Sequence, residues 1–131
     1  MKVDGQCHCG QIRYEAEIDP EQIFICHCTD CQTLSGSAYR TLAKTVVDGL
    51  KVISGTPKIY VKIGSSGSRR QQSFCPECGS PIYSAADEDE PKIYNLRAGT
   101  LTQRNELKPK AQNWAKSSLD WVGDLSEIRV V

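Results

Sequence analysis

Seven cysteines are the residues of this chain whose type and spacing could do chemistry. They stand in three groups: Cys7 with Cys9, Cys26 with Cys28 and Cys31, and Cys75 with Cys78. Thiolates are among the ligands that zinc prefers, and four of them close a tetrahedral site. A group of three, in the stretch CHCTDC, matches neither a closed four-thiolate cage nor a disulfide.

The stretch CPECGSP, which contains Cys75 and Cys78, has the pattern of a zinc knuckle. In such a turn, backbone amides point at the sulfur of the first cysteine. Gly79 can adopt the left-handed conformation that turns the chain out of the knuckle. One pair of thiols does not complete a tetrahedral site, so this pair needs a second one.

Two stretches of the form Cys-His-Cys, at residues 7–9 and 26–28, can supply that second pair. In an extended strand, residues i and i+2 point to the same face. We therefore expect each pair of thiols to hold one ion while His8 or His27 points away from it.

The number of cysteines suggests how they are shared. If Cys7 and Cys9 join the knuckle, the remainder is Cys26, Cys28 and Cys31, three ligands with an open fourth position, as in catalytic zinc sites. In the other partition Cys26 and Cys28 join the knuckle, which leaves Cys7, Cys9 and Cys31 as the open set. The short separations within CHCTDC favour keeping its three thiols together.

A purely structural interpretation of the three thiols also stands. Cys31 could be a buried thiol that binds nothing, or His8, His27 or Asp30 could close a second structural site. The sequence therefore predicts about two zinc ions per chain and leaves open whether the second is catalytic.

The length of 131 residues fits a single domain, which we expect to span residues 1–131. Sixteen basic and sixteen acidic residues give a formal charge of zero, so we expect neither a nucleic-acid nor a membrane partner. The chain lacks an apolar run of membrane-spanning length and starts without a signal peptide, so we expect a cytoplasmic protein. In that reducing compartment an odd number of cysteines favours metal ligation over disulfides.

Alternating apolar and polar residues predict a mainly β fold of antiparallel strands. The stretch IRYEAEI, residues 12–18, has the alternation of a strand with one buried face. Similar runs follow at 22–26, 37–43, 50–55, 57–64, 71–75, 81–85, 92–99 and 127–131. We expect one short helix from Thr29 to Leu34, with Thr29 or Asp30 as its N-cap and Gly36 at its end.

Four blocks together resemble a known family. The order GQCHCGQIRYEA, CHCTDCQTLSGSAY and SSGSRRQQSFCPECGSPIY, followed by NWAKSSLDW, is similar to the glutathione-dependent formaldehyde-activating enzymes, a family that includes the centromere protein V group. The similarity runs from about Gly5 to Leu125. The first three blocks are highly specific in combination.

The resemblance implies a mainly β zinc-binding fold related to the B-type methionine sulfoxide reductases. It also implies a structural zinc on Cys7, Cys9, Cys75 and Cys78 and a catalytic zinc at the three cysteines of CHCTDC. The activity that it implies is the condensation of formaldehyde with glutathione to S-(hydroxymethyl)glutathione.

The chemistry of the three-thiolate site points to a thiol substrate. Zn²⁺ with three thiolates carries a net charge of −1, so it should activate water less well than a three-histidine zinc. Sulfur is the ligand type that such a site already selects, and coordination deprotonates a thiol at neutral pH. A bound thiolate can then attack a small carbonyl. We therefore expect glutathione or another small thiol, with a small carbonyl, as partners.

The carboxylates of glutathione need cations, which arginine binds with a two-oxygen fork. The expected substrate-binding residues are Arg40, Arg69 and Arg70, and the other cations available are Lys62 and Arg97. Conceivable proton donors are Tyr39, Tyr94, Ser35 and Ser37. We expect Trp114 and Trp121 in the core or at the end of a barrel.

Two functions of different classes follow from these residues. One is a zinc-dependent carbon–sulfur lyase or synthase; the other is a non-catalytic module whose second zinc is structural or docks a partner. Methionine sulfoxide reduction is disfavoured, because no cysteine after Cys78 could serve as a nucleophile in a late strand. The thiol, the carbonyl and the oligomeric state stay open.

Overall fold

The computed structural model describes all 131 residues and has the predicted mainly β architecture. None of its helices combines the length and apolar character needed to cross a bilayer. The regular elements are β1 (Lys2–Gln6), β2 (Arg13–Cys26), α1 (Thr29–Ser35), β3 (Arg40–Ser54), β4 (Lys58–Ile63), β5 (Arg69–Phe74), β6 (Pro81–Ala86), β7 (Asn95–Arg97) and β8 (Ala111–Asn113), with 3-10 turns at Ala98–Thr100 and Ala115–Ser117.

All eight strands belong to one sheet. Seven of them follow the order β1-β2-β3-β7-β6-β5-β4, and every neighbouring pair in that order is antiparallel. The short β8 adds to β2 in parallel. The longest pairing joins β2 to β3, which have 14 and 15 residues, and register shifts interrupt it near Ala16, Ile18 and Ile23. Such shifts bend a strand without ending it.

The core lies against one face of this sheet. In β2, buried and exposed residues alternate from Arg13 to Ile18, as the sequence predicts for a strand with one apolar face. Tyr14 is fully buried, and its hydroxyl lies 2.7 Å from Thr100 Oγ1. Its cross-strand partner is Gly5, where a Cβ would overlap the Tyr14 ring. The absence of a side chain at Gly5 therefore makes room for the tyrosine.

The strands differ from the predicted runs mainly in their ends. The runs 12–18 and 22–26 form the single strand β2, and 37–43 with 50–55 form β3, which begins at Arg40. Polar residues such as Asp19 and Asp48 resemble turn positions in the sequence. They lie within strands because bulges and local irregularities carry the chain through them.

Four differences from prediction lie in β1 and in the part of the chain after residue 110. Strands β1 and β8 were not predicted, and the predicted strand at 127–131 is absent because these residues are exposed and pair with no strand. The expected core position for Trp114 and Trp121 is wrong, since the two side chains are 60% and 52% exposed.

Candidate functional site

Four of the cysteines form a compact group at one end of the sheet. Cys7 and Cys9 lie in the turn after β1, and Cys75 and Cys78 lie in the turn between β5 and β6. We call these residues the four-thiol cluster. Their sulfurs all lie within 4.8 Å of one another, with 3.6 Å between Cys7 and Cys9 and 3.8 Å between Cys9 and Cys75.

This spacing fits one tetrahedral zinc ion. A zinc–sulfur bond is about 2.3 Å long, so the sulfurs of a regular ZnS₄ tetrahedron lie about 3.8 Å apart. Cys7 Sγ also accepts a 3.2 Å hydrogen bond from the Ile12 amide. Ser80 lies with its hydroxyl 3.2 Å from Cys78 Sγ, and this contact lowers the pKa of Cys78 to about 5. Both contacts favour the thiolate form that binds zinc.

The turn after Cys75 matches the predicted knuckle. Gly79 has φ 78°, and its amide donates to the Cys75 carbonyl oxygen at 2.9 Å. The His8 amide donates to Ser80 Oγ at 3.0 Å and so ties the Cys7–Cys9 turn to the knuckle. The predicted extended strand is absent at Cys7 and Cys9, whose sulfurs converge through a turn instead.

The other three cysteines meet where β2 ends and α1 begins. Cys26 is the last residue of β2, Cys28 is the N-cap of α1, and Cys31 lies in its first turn. Their sulfurs lie within 4.8 Å of one another, and we call these residues the three-thiol cluster. The predicted helix is present, but its N-cap is Cys28, whose Sγ accepts from the Cys31 amide at 3.2 Å. Gly36 ends the helix as predicted, with φ 64°.

The protonation of the three-thiol cluster indicates crowded negative charge. Interaction with Cys31 lowers the pKa of Cys26 to about 5, and the same interaction raises the pKa of Cys31. The two neighbouring thiols thus resist losing both of their protons. A divalent cation would relieve this repulsion, so the donor set fits zinc as well as the sulfur spacing does.

The residues considered as a fourth ligand to this cluster make other contacts, although Nδ1 of the buried His27 has no hydrogen-bond partner. The Nε2 atom of His27 lies 2.7 Å from Gln112 Oε1, and Asp30 Oδ2 pairs with Lys62 Nζ at 2.8 Å. His8 lies beside the four-thiol cluster. No histidine or carboxylate ligand atom joins the three sulfurs within 4.8 Å.

Hydrogen bonds from distant segments hold the loop that carries the three-thiol cluster. Gln32 Nε2 donates to the carbonyl oxygens of His27 at 2.8 Å and Ser117 at 2.9 Å. The His27 amide donates to the Asn113 carbonyl oxygen at 3.0 Å, next to Gln112 on β8. Sequence analysis missed β8 and this support, because a three-residue exposed strand carries no apolar pattern.

Strand register places several cations on the same face of the sheet as Cys26, opposite the core. Arg40 is the cross-strand partner of Cys26, and Arg97 is the partner of Leu42. Since alternate residues share a face, Arg40, Leu42 and Arg97 lie together with Cys26. We call this surface the cationic face.

Two residues of β5 extend the cationic face. Gln72 accepts a 2.8 Å hydrogen bond through Oε1 from Arg97 Nη2, and Arg70 precedes it by two residues. Sequence analysis did not single out Gln72 and treated Arg97 only as an available cation. The alternation of polar with apolar residues in NLR could have placed Arg97 on a polar face, whereas RRQQSF has no such alternation and carries no signal for Gln72.

The geometry separates the predicted substrate-binding arginines. Arg40 and Arg70 lie on the cationic face, but Arg69 points to the opposite face and donates from Nε to Asp87 Oδ2 at 3.0 Å. Arg69 is therefore not positioned for the predicted role. The reason is that neighbouring residues of a strand point to opposite faces, and the sequence RR does not show which arginine points to which face.

The residues considered as proton donors also lie in different parts of the structure. Tyr94 is buried on the core face and donates its hydroxyl to Glu90 Oε1 at 2.8 Å, so it does not reach the cationic face. Tyr39 lies beside the three-thiol cluster, its ring 5.5 Å from that of His27. Ser35 donates to the Gln32 carbonyl oxygen, and Ser37 is exposed.

A pocket of 430 Å³ lies beside the cationic face, with Leu34, Arg40, Tyr60, Gln72 and Phe74 in its wall. A larger and shallower groove of 720 Å³ crosses β1, β2 and β3. No cysteine lines either cavity, but the smaller pocket shares Arg40 and Gln72 with the cationic face and Leu34 with the helix that follows Cys28. We therefore place the candidate chemistry at the smaller pocket.

Comparisons with known proteins agree with this geometry. The family model described as glutathione-dependent formaldehyde-activating enzyme matches residues 2–117. A crystal structure of a Rhodobacter sphaeroides protein is similar in fold, with a TM-score of 0.63 and 20% identity; the match covers 86% of this chain and 100% of that one. A comparison with curated protein sequences finds no match. The kinship to B-type methionine sulfoxide reductases stays a prediction. The chain belongs to the family of glutathione-dependent formaldehyde-activating enzymes.

Proposed function

We propose that this protein is a zinc-dependent carbon–sulfur lyase or synthase, similar to S-(hydroxymethyl)glutathione synthase, that acts in the cytoplasm. Its substrates are glutathione, or a related small thiol, and formaldehyde or a similar small carbonyl. The observation that carries the proposal is the three-thiol cluster, which gathers three sulfurs without a fourth protein ligand beside a cationic pocket. Membership of the family supports the same substrates.

The two cysteine clusters have different roles in this proposal. Cys7, Cys9, Cys75 and Cys78 would hold a structural zinc, while Cys26, Cys28 and Cys31 would hold a catalytic zinc. Zinc bound by three thiolates supplies a position at which a substrate thiol loses its proton. Each chain would then contain about two zinc ions.

The surrounding residues hold the three-thiol cluster in place. The Cys31 amide donates to Cys28 Sγ and fixes the position of this sulfur. Gln32 fixes the His27 carbonyl, and Gln112 holds the His27 ring between the two ligands. These contacts keep the three sulfurs in a constant arrangement, as catalysis by positioning requires.

The reaction joins a thiol to a carbonyl. A lone pair of the substrate sulfur forms the new bond to carbon, the π pair of the C=O bond moves to oxygen, and the oxygen takes up a proton. The product is an S-hydroxymethyl adduct, and no oxidant or reductant is needed. The net change is the addition of the thiol across the C=O bond.

Exchange spectroscopy by NMR tests the activity. Glutathione and ¹³C-formaldehyde also combine without a catalyst, so the measured quantity is the increase in exchange rate per mole of zinc-loaded protein. We expect a rate increase that is proportional to protein concentration and lost in Cys31→Ser. A zinc-loaded protein that leaves the exchange rate unchanged would favour the non-catalytic module.

A further inference from the structure

Two buried arginines on the cationic face lack acidic partners. Arg40 and Arg97 are only 5% and 7% exposed. The ion pairs of the chain are Lys62 with Asp30, Arg69 with Asp87 and Lys110 with Glu21, so neither buried arginine takes part in one. Arg40 Nη2 and Arg97 Nε also have no hydrogen-bond partner within the chain.

Such an arrangement is unfavourable unless an anion completes it. A buried charge is destabilising when it is unpaired, and a buried N–H group without an acceptor costs about 1 to 3 kcal/mol. Burial, together with the charge of Arg40, lowers the pKa of Arg97 to about 9. Burial also lowers the pKa of Arg70, and the charge of Glu88 acts against this shift. Three guanidinium groups thus share one face of the sheet, and only Arg70 has a carboxylate close enough to act on its pKa.

The three-thiol cluster balances only part of this charge. With zinc bound, three thiolates would carry a net charge of about −1. That charge can offset one arginine, and the nearest candidate is Arg40, the cross-strand neighbour of Cys26. Arg97 would remain for an anion that enters the pocket, because its hydrogen-bond partner Gln72 forms part of the pocket wall.

Resting on the proposed function, we propose that Arg40 and Arg97, with Gln72, form a carboxylate-binding subsite beside the three-thiol cluster. The substrates selected would be thiols that carry a carboxylate within reach of the sulfur. A guanidinium binds both oxygens of a carboxylate in one plane. Gln72 orients Arg97 through its 2.8 Å hydrogen bond. Formaldehyde is neutral and would make no use of this subsite.

Calorimetric titration of the zinc-loaded full chain tests the subsite. The probes are glutathione and glutathione diethyl ester, which has the same thiol but no free carboxylate. We expect the wild type to bind glutathione at least 10-fold more tightly than the ester, because charge-assisted hydrogen bonds are the strong ones. Arg97→Met should lose most of that preference. Arg69→Met, on the opposite face, should keep it.

The outcomes separate the subsite from the proposed function. If neither probe binds, the proposed function fails. If both bind with equal affinity, a second comparison decides: a preference for glyoxylate over formaldehyde that is lost in Arg97→Met would assign the carboxylate to the carbonyl substrate. Equal binding without that preference would overturn the subsite. The comparison of probes on the wild type stands even if Arg97→Met does not fold.

Discussion

Replacing Cys78 by serine removes one sulfur of the four-thiol cluster and opens no cavity, because Cys78 is exposed. Any loss of stability then reports the metal rather than packing. Zinc ligation in a structural site contributes about 10 to 16 kcal/mol, whereas a domain of this kind is stable by about 5 to 15 kcal/mol. We expect Cys78→Ser to lose the structural zinc and to be largely unfolded at 25 °C.

Replacing Cys31 should lower the stability less than replacing Cys78, because the three-thiol cluster closes a much shorter loop. Cys9 and Cys75 are 66 residues apart, whereas Cys28 and Cys31 are three apart. The entropic cost of closing a loop grows with the logarithm of its length. The ratio of these two separations corresponds to a difference of about 3 kcal/mol in that cost. The four-thiol cluster also joins β1 to the β5–β6 turn. Cys31→Ser should therefore keep its β-sheet and its first zinc ion.

The assay combines thermal unfolding by circular dichroism with elemental analysis of zinc. The control is Ser80→Ala, which removes the hydroxyl beside Cys78 Sγ and keeps all four sulfurs. It should cost about 1 kcal/mol and retain about two zinc ions. If Cys31→Ser unfolded as readily as Cys78→Ser, both clusters would be structural and the reasoning above would be refuted.

Three further outcomes are expected. Glutathione binding should release a proton near neutral pH as its thiol ionises, whereas S-methylglutathione should bind more weakly and release none; calorimetry in two buffers of different ionisation enthalpy counts the protons. Burial raises the pKa of Tyr14 from about 10 to about 12. The unfolded chain therefore loses this proton first, so the free energy of unfolding should fall as pH rises through that range. Urea titrations of Tyr14→Phe should show a weaker fall. Gln32→Leu removes the bonds to His27 and Ser117, so competition with a chelator should show weaker zinc binding at the three-thiol cluster and unchanged binding at the other. Unchanged affinity at both clusters would show that this contact does not support the site.

The sequence could predict the mainly β class because the information is local. In β2 each buried residue alternates with an exposed one, and the Gly36 helix end needs only a residue that tolerates positive φ. The cysteine groups were visible for the same reason, since CHCTDC and CPECGSP are short motifs.

Features that depend on partners could not be predicted in this way. EIRVV has strand-forming residues, but strand propensity depends on having a neighbour to pair with, and none is adjacent. The three residues of β8 pair with β2 only because the chain returns there after 85 residues. The different faces of Arg69 and Arg70 follow from register, which side-chain type alone does not determine.

The position of Cys28 as the N-cap of α1 has a consequence for local order. This helix has seven residues and buries none of them, so it is too short to persist on its own propensity. One atom, Cys28 Sγ, both caps the helix and belongs to the three-thiol cluster. Ion uptake and helix formation should therefore be a single local folding event. Leu34 stands on the same helix and lines the pocket, so this part of the pocket wall would form only once an ion has been bound.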